Sequence, residues 1–250
     1  MKIRFYNARI MTMTDGCALL EGELWVENDR ILYIGDGSDL DDFYKRTGKD
    51  CIVWDREIDC EGNVLMPGFK DAHTHSAMVA MRSFADDMPL QEWLNTKIFP
   101  LEAKMTDQDN YDLTQLAILE YLTSGVTSIF DMYLSPKDIA QACIDMGMRC
   151  VLVSGLNKFG PALEVMEERY LSLNKMHPLI TYMMGVHAEY TCPKELLEQV
   201  SGLIHKYQAP LFAHMSETKL ETDECVERYG MTPPALFDSL GLLDFGGVGY

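Results

Sequence analysis

From residue 66 onward, short apolar segments alternate with amphipathic stretches, and this alternation restricts the fold more than any other feature. Apolar segments predict strands at residues 65–73, 126–132, 150–155, 180–187, 211–214 and 247–250. Between them apolar residues recur at helical spacing, as Leu197, Val200 and Ile204 do on one face of a helix. Repeated strand–helix units predict a parallel sheet with right-handed crossovers. The predicted fold class is therefore α/β.

Two architectures fit this pattern, a (β/α)8 TIM-type barrel and a doubly wound sheet. A phosphate-binding loop, Gly-x-Gly-x-x-Gly or Gly-x-x-x-x-Gly-Lys, would favour the doubly wound sheet, and the sequence contains neither. The barrel is therefore the leading interpretation. One strand–helix unit takes about 30 residues, so the stretch 66–250 accommodates only about six units. We expect the barrel to break off in its sixth strand, at Tyr250.

Residues 1–65 show a different sequence pattern, in which short β-rich segments are separated by turns that contain Gly, Asn and Asp. The segments are Ile3–Ile10, Gly22–Glu27, Arg30–Ile34 and Ile52–Asp59. They predict an N-terminal β-sandwich portion at 1–65, followed by six barrel units at 66–250. The polar segment Ser38–Asp50 is either a helix or a loop.

Charge and cysteine content restrict the partners and the compartment. With 39 acidic against 21 basic residues, the formal net charge is −18. This balance repels nucleic acid and anionic membrane surfaces, so we expect neither as a partner. The sequence has no apolar stretch of about 20 residues and no signal-peptide pattern. Seven cysteines without a Cys-x-x-Cys pair predict reduced thiols and a cytoplasmic location.

Histidines cluster at the predicted strand ends. His73 and His75 end the first barrel strand, and side chains two residues apart on a strand point to the same face. Taken alone, this pair is a weak metal signal. His214 and His187 end two later strands, and barrel active sites lie at the carboxyl ends of the strands. Position therefore strengthens the case for a metal site.

The remaining candidates are assigned by their surroundings. Glu217 follows His214 by three residues, where a carboxylate could carry a proton from water to a leaving group. The same residue could equally be a helix N-terminal glutamate that complements the helix dipole. His177 lies in a linker and His205 on a helix, and both are expected to be structural or surface residues.

A series of ordered motifs resembles the amidohydrolase superfamily, and the resemblance runs over essentially the whole chain. The closest branch is that of the methylthioadenosine/S-adenosylhomocysteine deaminases and their chlorohydrolase-like relatives. The motifs include Met66-Pro67-Gly68-Phe69, His73-Thr74-His75, Phe84 to Leu90, Glu92-Trp93-Leu94, Ser124 to Thr127, Asp131-Met132-Tyr133, His187 to Cys192 and His214 to Thr218. The resemblance implies a metal-bearing barrel and a β-sandwich built from both chain ends.

The resemblance also implies roles for the histidines and for Glu217. His73, His75 and His214 match the first three metal ligands. Glu217 matches the proton-shuttling glutamate, and His187 matches a residue that contacts the substrate beside the attacked carbon.

Two further residues match the substrate pocket of this branch. Glu102 lies where a carboxylate holds the ribose hydroxyls, and Trp93 is either a wall of that pocket or a buried aromatic staple. The strand 180–187 lacks the lysine that bridges two metals in the binuclear branch, so one divalent ion is expected. Zinc suits three imidazoles, while iron, nickel and manganese remain open.

The sequence departs from the branch in three places. The final aspartate ligand and a further histidine are expected beyond Tyr250, so the chain looks truncated and the isolated chain is expected to be weakly active or inactive. Arginines that hold a substrate carboxylate after the third strand are missing between Arg149 and Arg169. A large anionic tail on the substrate is therefore not expected. Glu189 replaces a usual proline and is expected to make the pocket edge more acidic.

These observations lead to three hypotheses. The first is metal-dependent hydrolytic deamination of an adenosine-type nucleoside or a related aminated heterocycle. The second keeps the site but hydrolyses a cyclic amide or a triazine. The third is a catalytically incompetent fragment or scaffold. We also expect a small-molecule substrate, and the resemblance implies assembly into a homo-oligomer.

Overall fold

The computed structural model describes residues 1–16, 19–48, 51–85 and 87–249. Asp50, Asp86 and Tyr250 belong to segments discussed above and lie outside the described residues. The chain forms two compact units, Met1–Gly68 and Phe69–Tyr250. The division into a sandwich portion and six barrel units, with its boundary after residue 65, stays a prediction.

The first unit is a small mixed sheet with one helix. Its elements are β1 (Lys2–Ile10), β2 (Leu20–Glu27), β3 (Arg30–Gly35), α1 (Leu40–Thr47), β4 (Arg56–Asp59) and β5 (Val64–Leu65). Strands β1 to β3 pair antiparallel, whereas β4 and β5 both run parallel to β1. Trp25, Tyr33 and Phe43 form its buried aromatic core. The segment Ser38–Asp50 contains α1, and the strand predicted at 52–59 begins only at Arg56.

The second unit contains a parallel sheet of six strands within the described residues. They are β6 (Phe69–Thr74), β7 (Val126–Met132), β8 (Arg149–Val153), β9 (Ile180–Ala188), β10 (Leu211–His214) and β11 (Gly247–Gly249). They lie side by side in chain order. A doubly wound sheet reverses its strand order at a switch point, and this sheet does not. The predicted α/β class and partial TIM-type barrel are confirmed.

Helices connect these strands, and proline and glycine mark the bounds of α5 as the sequence predicts. They are α2 (Leu90–Trp93), α3 (Phe99–Glu102), α4 (Asp107–Thr123), α5 (Pro136–Met146), α6 (Leu163–Leu173), α7 (Lys194–Tyr207), α8 (Lys219–Tyr229) and α9 (Pro233–Ser239). Pro136 opens α5, where a missing N–H costs nothing, and Gly147 ends it at a φ of 73°. No helix in the described part of the chain is long and apolar enough to cross a membrane.

The single strand predicted at 65–73 is two strands in the structure. Val64–Leu65 pairs with β1, whereas Phe69–Thr74 pairs with β7. Pro67 lies between them and has no N–H to donate to a strand ladder, which interrupts the pairing. The sequence does not reveal this break, because both halves are apolar and each pairs with a strand of its own sheet.

The barrel sheet buries both of its faces. Residues such as Ile129, Leu152 and Met184 belong to the core that includes the helices. Their chain neighbours Val153 and Met183 belong to a smaller cluster with Met132 and Phe212 on the opposite face. Side chains alternate along a strand, so His187 shares the face of Met183, and His214 shares the face of Phe212.

Gly185 marks the tightest approach between strands β8, β9 and β10. A Cβ at this position would lie 2.3 Å from the carbonyl oxygen of Ser154 and 2.9 Å from that of Phe212. Neither distance is tolerable, and both obstacles are backbone atoms that cannot turn aside. A residue without a side chain is therefore required here.

We predict that Gly185→Ala lowers the free energy of unfolding by about 1–3 kcal/mol or more, because overpacking forces strand backbones apart. Gly202→Ala in α7 is the matched control, since its Cβ would meet no atom within 4 Å. It should raise stability by about 0.5–1 kcal/mol through helix propensity. Urea unfolding measures both. Equal stability of Gly185→Ala and the unchanged protein would contradict the close packing.

Candidate metal centre and substrate cavity

Three histidine side chains from two strand ends converge on one point of the second unit. Possible ligand atoms of His73, His75 and His214 all lie within 4.8 Å of one another. The Nε2 atoms of His73 and His214 are 3.1 Å apart. Two nitrogens bound at 2.0–2.1 Å to one tetrahedral ion are separated by roughly 3.3 Å. The donor set and its spacing therefore fit a divalent metal ion.

Backbone carbonyls orient two of these imidazoles. The Nδ1–H of His214 donates to the carbonyl oxygen of His187 at 2.9 Å, and the Nδ1–H of His75 donates to the carbonyl oxygen of Met132. Each bond leaves Nε2 as the nitrogen with a free lone pair. Metal-ligating histidines commonly have their tautomer set in this way.

Electrostatics keep the three imidazoles neutral. Burial, together with the positive charges that His75 and His214 would carry, lowers the pKa of His73 to about 4. Burial also lowers the pKa of His75 and of His214. Neutral imidazole is the form that binds a metal, so the ligands are ready at neutral pH.

A cavity of about 390 Å³ opens beside the three histidines. It lies within the size range of small-molecule sites. His75 and His214 line it, together with Glu217, His187 and Glu102. The structure thus brings the predicted catalytic residues to one space.

Glu217 is held at the cavity by the turn that precedes α8. The buried carboxylate of Glu221 accepts the backbone N–H of Glu217 at 2.7 Å and that of Ser216 at 3.2 Å. Thr218, the residue before α8, accepts the N–H of Glu221 through its hydroxyl. Glu221 is therefore the acidic residue of the first helical turn, and the Glu217 carboxylate is left to the cavity. Burial raises the pKa of Glu217.

His187 presents a neutral ring beside the cluster of three histidines. Its pKa is lowered to about 4, first by burial and then by the charges of His214 and His75. Nδ1 is hydrogen-bonded with the hydroxyl of Thr191 at 3.1 Å, and the ring centroid lies 5.1 Å from that of His214. At neutral pH this ring can hydrogen-bond a ligand without adding a charge.

Glu102 and Trp93 line another part of the same cavity. Burial raises the pKa of Glu102, and a hydrogen bond from the hydroxyl of Tyr133 opposes that rise. The indole N–H of Trp93 donates to the carbonyl oxygen of Phe84 at 3.2 Å, which leaves its ring as a wall. An acidic group and an aromatic ring that line one cavity suit a flat ligand that carries hydroxyl groups.

One prediction about the pocket edge is wrong. Glu189 is only 2% exposed and is absent from the cavity lining; its carboxylate forms an ion pair with Arg228 at 2.7 Å. Arg228 on α8 therefore balances the charge of Glu189, and Glu189 does not make the cavity more acidic. The two remaining histidines lie outside the cluster, as predicted. His205 is paired with the exposed Asp244, and His177 accepts the N–H of Leu179.

Sequence reasoning missed most of the other residues that line the cavity, and three of the polar ones illustrate why. Tyr133 and Asn157 line it, and so does Arg169 from α6. Tyr133 follows Met132 at the end of β7, so the rule that selected the histidines could also have selected it. Arg169 carries no such signal, because it lies inside a helix more than ten residues after β8.

Comparisons with known proteins agree with this geometry. A sequence model of the amidohydrolase family matches residues 64–247. The chain is 38% identical over 248 residues to a 5-methylthioadenosine/S-adenosylhomocysteine deaminase of Syntrophomonas wolfei, which covers 97% of the chain and 55% of that protein. It is 40% identical over 193 residues to a 5′-deoxyadenosine deaminase of Methanospirillum hungatei, covering 74% of the chain and 43% of that protein.

A solved structure shares the fold. An adenosine deaminase of Xanthomonas campestris with bound zinc superposes with a TM-score of 0.84 at 28% identity, covering 96% of this chain and 55% of that one. The chain thus spans about half the length of the relatives it matches. The family match covers well over half of the chain and includes every histidine of the cluster. This chain belongs to the amidohydrolase family.

Proposed function

We propose that the chain provides the metal and substrate residues for hydrolytic deamination of an adenosine-type nucleoside. The observation that supports this most is the convergence of three neutral histidines with Glu217 and His187 in one cavity. The names of the similar deaminases indicate nucleoside substrates, which favours the same substrate class for this chain.

His73, His75 and His214 would hold one divalent ion, with zinc as the first choice and iron, nickel or manganese as alternatives. Such an ion lowers the pKa of water toward about 7 and stabilises charge that develops on oxygen. The neutral imidazoles would add no negative charge, so an ion held by them would remain a strong Lewis acid.

Glu217 is proposed as the proton carrier. Its carboxylate takes a proton from the attacking water and delivers it to the ring nitrogen next to the reacting carbon. A carbon–oxygen bond forms, and the remaining proton of the added hydroxyl is then passed to the amino group. The carbon–nitrogen bond breaks, ammonia leaves, and the ring carbon keeps the oxygen as a carbonyl. A raised pKa suits this exchange, because the group must both accept and release the proton.

The other cavity residues would position the substrate. His187, neutral and fixed by Thr191, would hydrogen-bond the base at the reacting carbon. Glu102 would accept hydrogen bonds from the two hydroxyls of ribose, and Trp93 would cover the ring face. We also propose a cytoplasmic location and leave assembly into homo-oligomers as a prediction.

Release of ammonia from a panel of adenosine, guanine and triazine compounds tests the reaction. Deamination of adenosine-type nucleosides supports the proposal, and turnover confined to triazines or cyclic amides would replace it by the second hypothesis. Stoichiometric zinc binding without any turnover would favour the non-catalytic scaffold.

We predict that His214→Ala weakens zinc binding by more than about 100-fold, beyond what loss of a supporting hydrogen bond costs. Zinc retained after equilibrium dialysis, measured by elemental analysis, gives the change. His205→Ala is the control, because His205 is exposed and paired with Asp244. Unchanged zinc binding in His214→Ala would refute the proposed ligand set.

We predict that Glu217→Gln keeps its zinc and loses about 10²- to 10⁴-fold in ammonia release, the contribution typical of general acid–base catalysis. The amide keeps the size of the side chain but cannot take the proton. Glu227→Gln, on the exposed face of α8, should match the unchanged protein. Full turnover by zinc-loaded Glu217→Gln would sink the assignment.

We predict that kcat/KM decreases as the pH is lowered. The apparent pKa of this decrease should lie above the value of about 4.3 that is typical of glutamate. Burial raises the pKa of Glu217, so its ionised form is lost earlier as the pH falls. Of the groups near it, Tyr190 and Glu221 are also buried, and His187 stays neutral down to about 4. The residual activity of Glu217→Gln should lack this limb. An acid limb at or below the ordinary glutamate pKa would contradict the prediction.

A further inference from the structure

We propose that a buried hydrogen-bond network behind the three histidines positions the ring of His75 and thereby sets the metal affinity of the centre. The network consists of Thr74, Ser76, Tyr121 and Asp131, and none of these four residues lines the cavity. The inference rests on the proposed metal site and adds to it residues that act through a ligand instead of touching the ion.

The buried network lies on the face of the sheet opposite the cavity. Side chains alternate along a strand, so Thr74 points away from the face that carries His73 and His75. On β7, Asp131 shares the face of Ile129, which belongs to the core that includes the helices. The network therefore lies between the sheet and the helices, directly behind two of the proposed metal ligands.

One phenol bridges the two residues that flank His75. The hydroxyl of Tyr121, on α4, is 2.6 Å from the hydroxyl of Thr74 and 3.1 Å from that of Ser76. The residue before His75 and the residue after it are thus tied to the same point on a helix. A displacement of His75 along the strand or away from it would stretch at least one of these two hydrogen bonds.

Two successive residues of β7 hold the turn from the other side. The carbonyl oxygen of Met132 accepts the Nδ1–H of His75, and the carboxylate oxygens of Asp131 accept the backbone N–H of Ser76 at 3.3 and 3.4 Å. The pairing of β6 with β7 ends at Thr74 and Asp131, so the strand ladder does not extend to His75. Side-chain hydrogen bonds are therefore needed to fix the backbone on which this imidazole is carried.

The carboxylate of Asp131 is energetically unfavourable for the fold itself. It is fully buried and forms no salt bridge within the described residues, and burying a charge without a cationic partner is costly. Burial raises the pKa of Asp131 to about 7, and hydrogen bonds from the hydroxyl and the N–H of Ser76 oppose that rise. An apolar residue would fill this position without such a cost, so stability alone does not account for the carboxylate. Holding a metal ligand in place does.

Removal of the bridging hydroxyl tests the positioning role. Tyr121→Phe keeps the ring and should weaken zinc binding by about tenfold or more, because the loss of groups that orient metal ligands typically costs about 10- to 100-fold. Competition with a chelator of known affinity gives the dissociation constant of zinc. Thr114→Val is the matched control, since it removes a buried hydroxyl from the same helix, where that hydroxyl donates to the carbonyl oxygen of Asn110. It should bind zinc as tightly as the unchanged protein.

Two substitutions test the carboxylate. Asp131→Asn keeps an oxygen that can accept the N–H of Ser76 and should retain most of the zinc affinity. Asp131→Val removes the acceptor and should weaken zinc binding by about 10- to 100-fold. The visible absorption of the cobalt(II)-loaded protein depends on ligand geometry, so it should change in Asp131→Val and stay the same in Asp131→Asn. Urea unfolding of the metal-free proteins shows that each variant is folded and how far its stability differs.

The remaining outcomes separate the possible failures. Unchanged zinc affinity in folded Tyr121→Phe would overturn the proposal, and this variant decides the question alone if Asp131→Val does not fold. An equal loss of affinity in Thr114→Val would also overturn it, because affinity would then follow general stability. Failure of the unchanged protein to bind zinc would instead refute the proposed metal site, and the inference with it.

Discussion

Parallel pairing of successive strands is the constraint on which the site depends. It brings every carboxyl end to the same edge of the sheet, so residues more than a hundred positions apart, such as His73 and His214, meet without any special loop. The pairing in turn requires strands that approach closely, and at Gly185 the backbones of β8 and β10 leave no space for a methyl group. The histidines of the candidate metal site are therefore positioned by the same contacts that hold the sheet together.

Much of this fold could be predicted from residue patterns alone. The bounds of β7 and β10 were predicted to the residue, because their apolar runs begin and end sharply. The pattern failed where apolar residues serve two sheets, as between Val64 and Phe69, and where a β-rich run such as 52–55 finds no partner strand. Local propensity describes what a segment can form, and pairing with a distant strand decides whether it does.

The site shows the same limit at the level of side chains. Histidines at strand ends could be placed because strand geometry fixes their direction. Glu189 could not, since its environment depends on Arg228, which is 39 positions away on α8. Arg169 was overlooked for a related reason: a long side chain on a helix reaches a cavity that no local pattern describes. The roles proposed for Glu102, Trp93 and His187 still come from family resemblance and from their shared cavity.

The turn before α8 has a consequence for the energetics of the reaction. Because Glu221 binds the backbone N–H groups of Ser216 and Glu217 within the folded chain, the backbone conformation of the turn that carries Glu217 is set before a ligand arrives. The conformational entropy of that segment is lost during folding, so little of it has to be lost again in each catalytic cycle. In the proposed deamination, substrate affinity would then serve to orient the nucleoside, because this turn is already ordered.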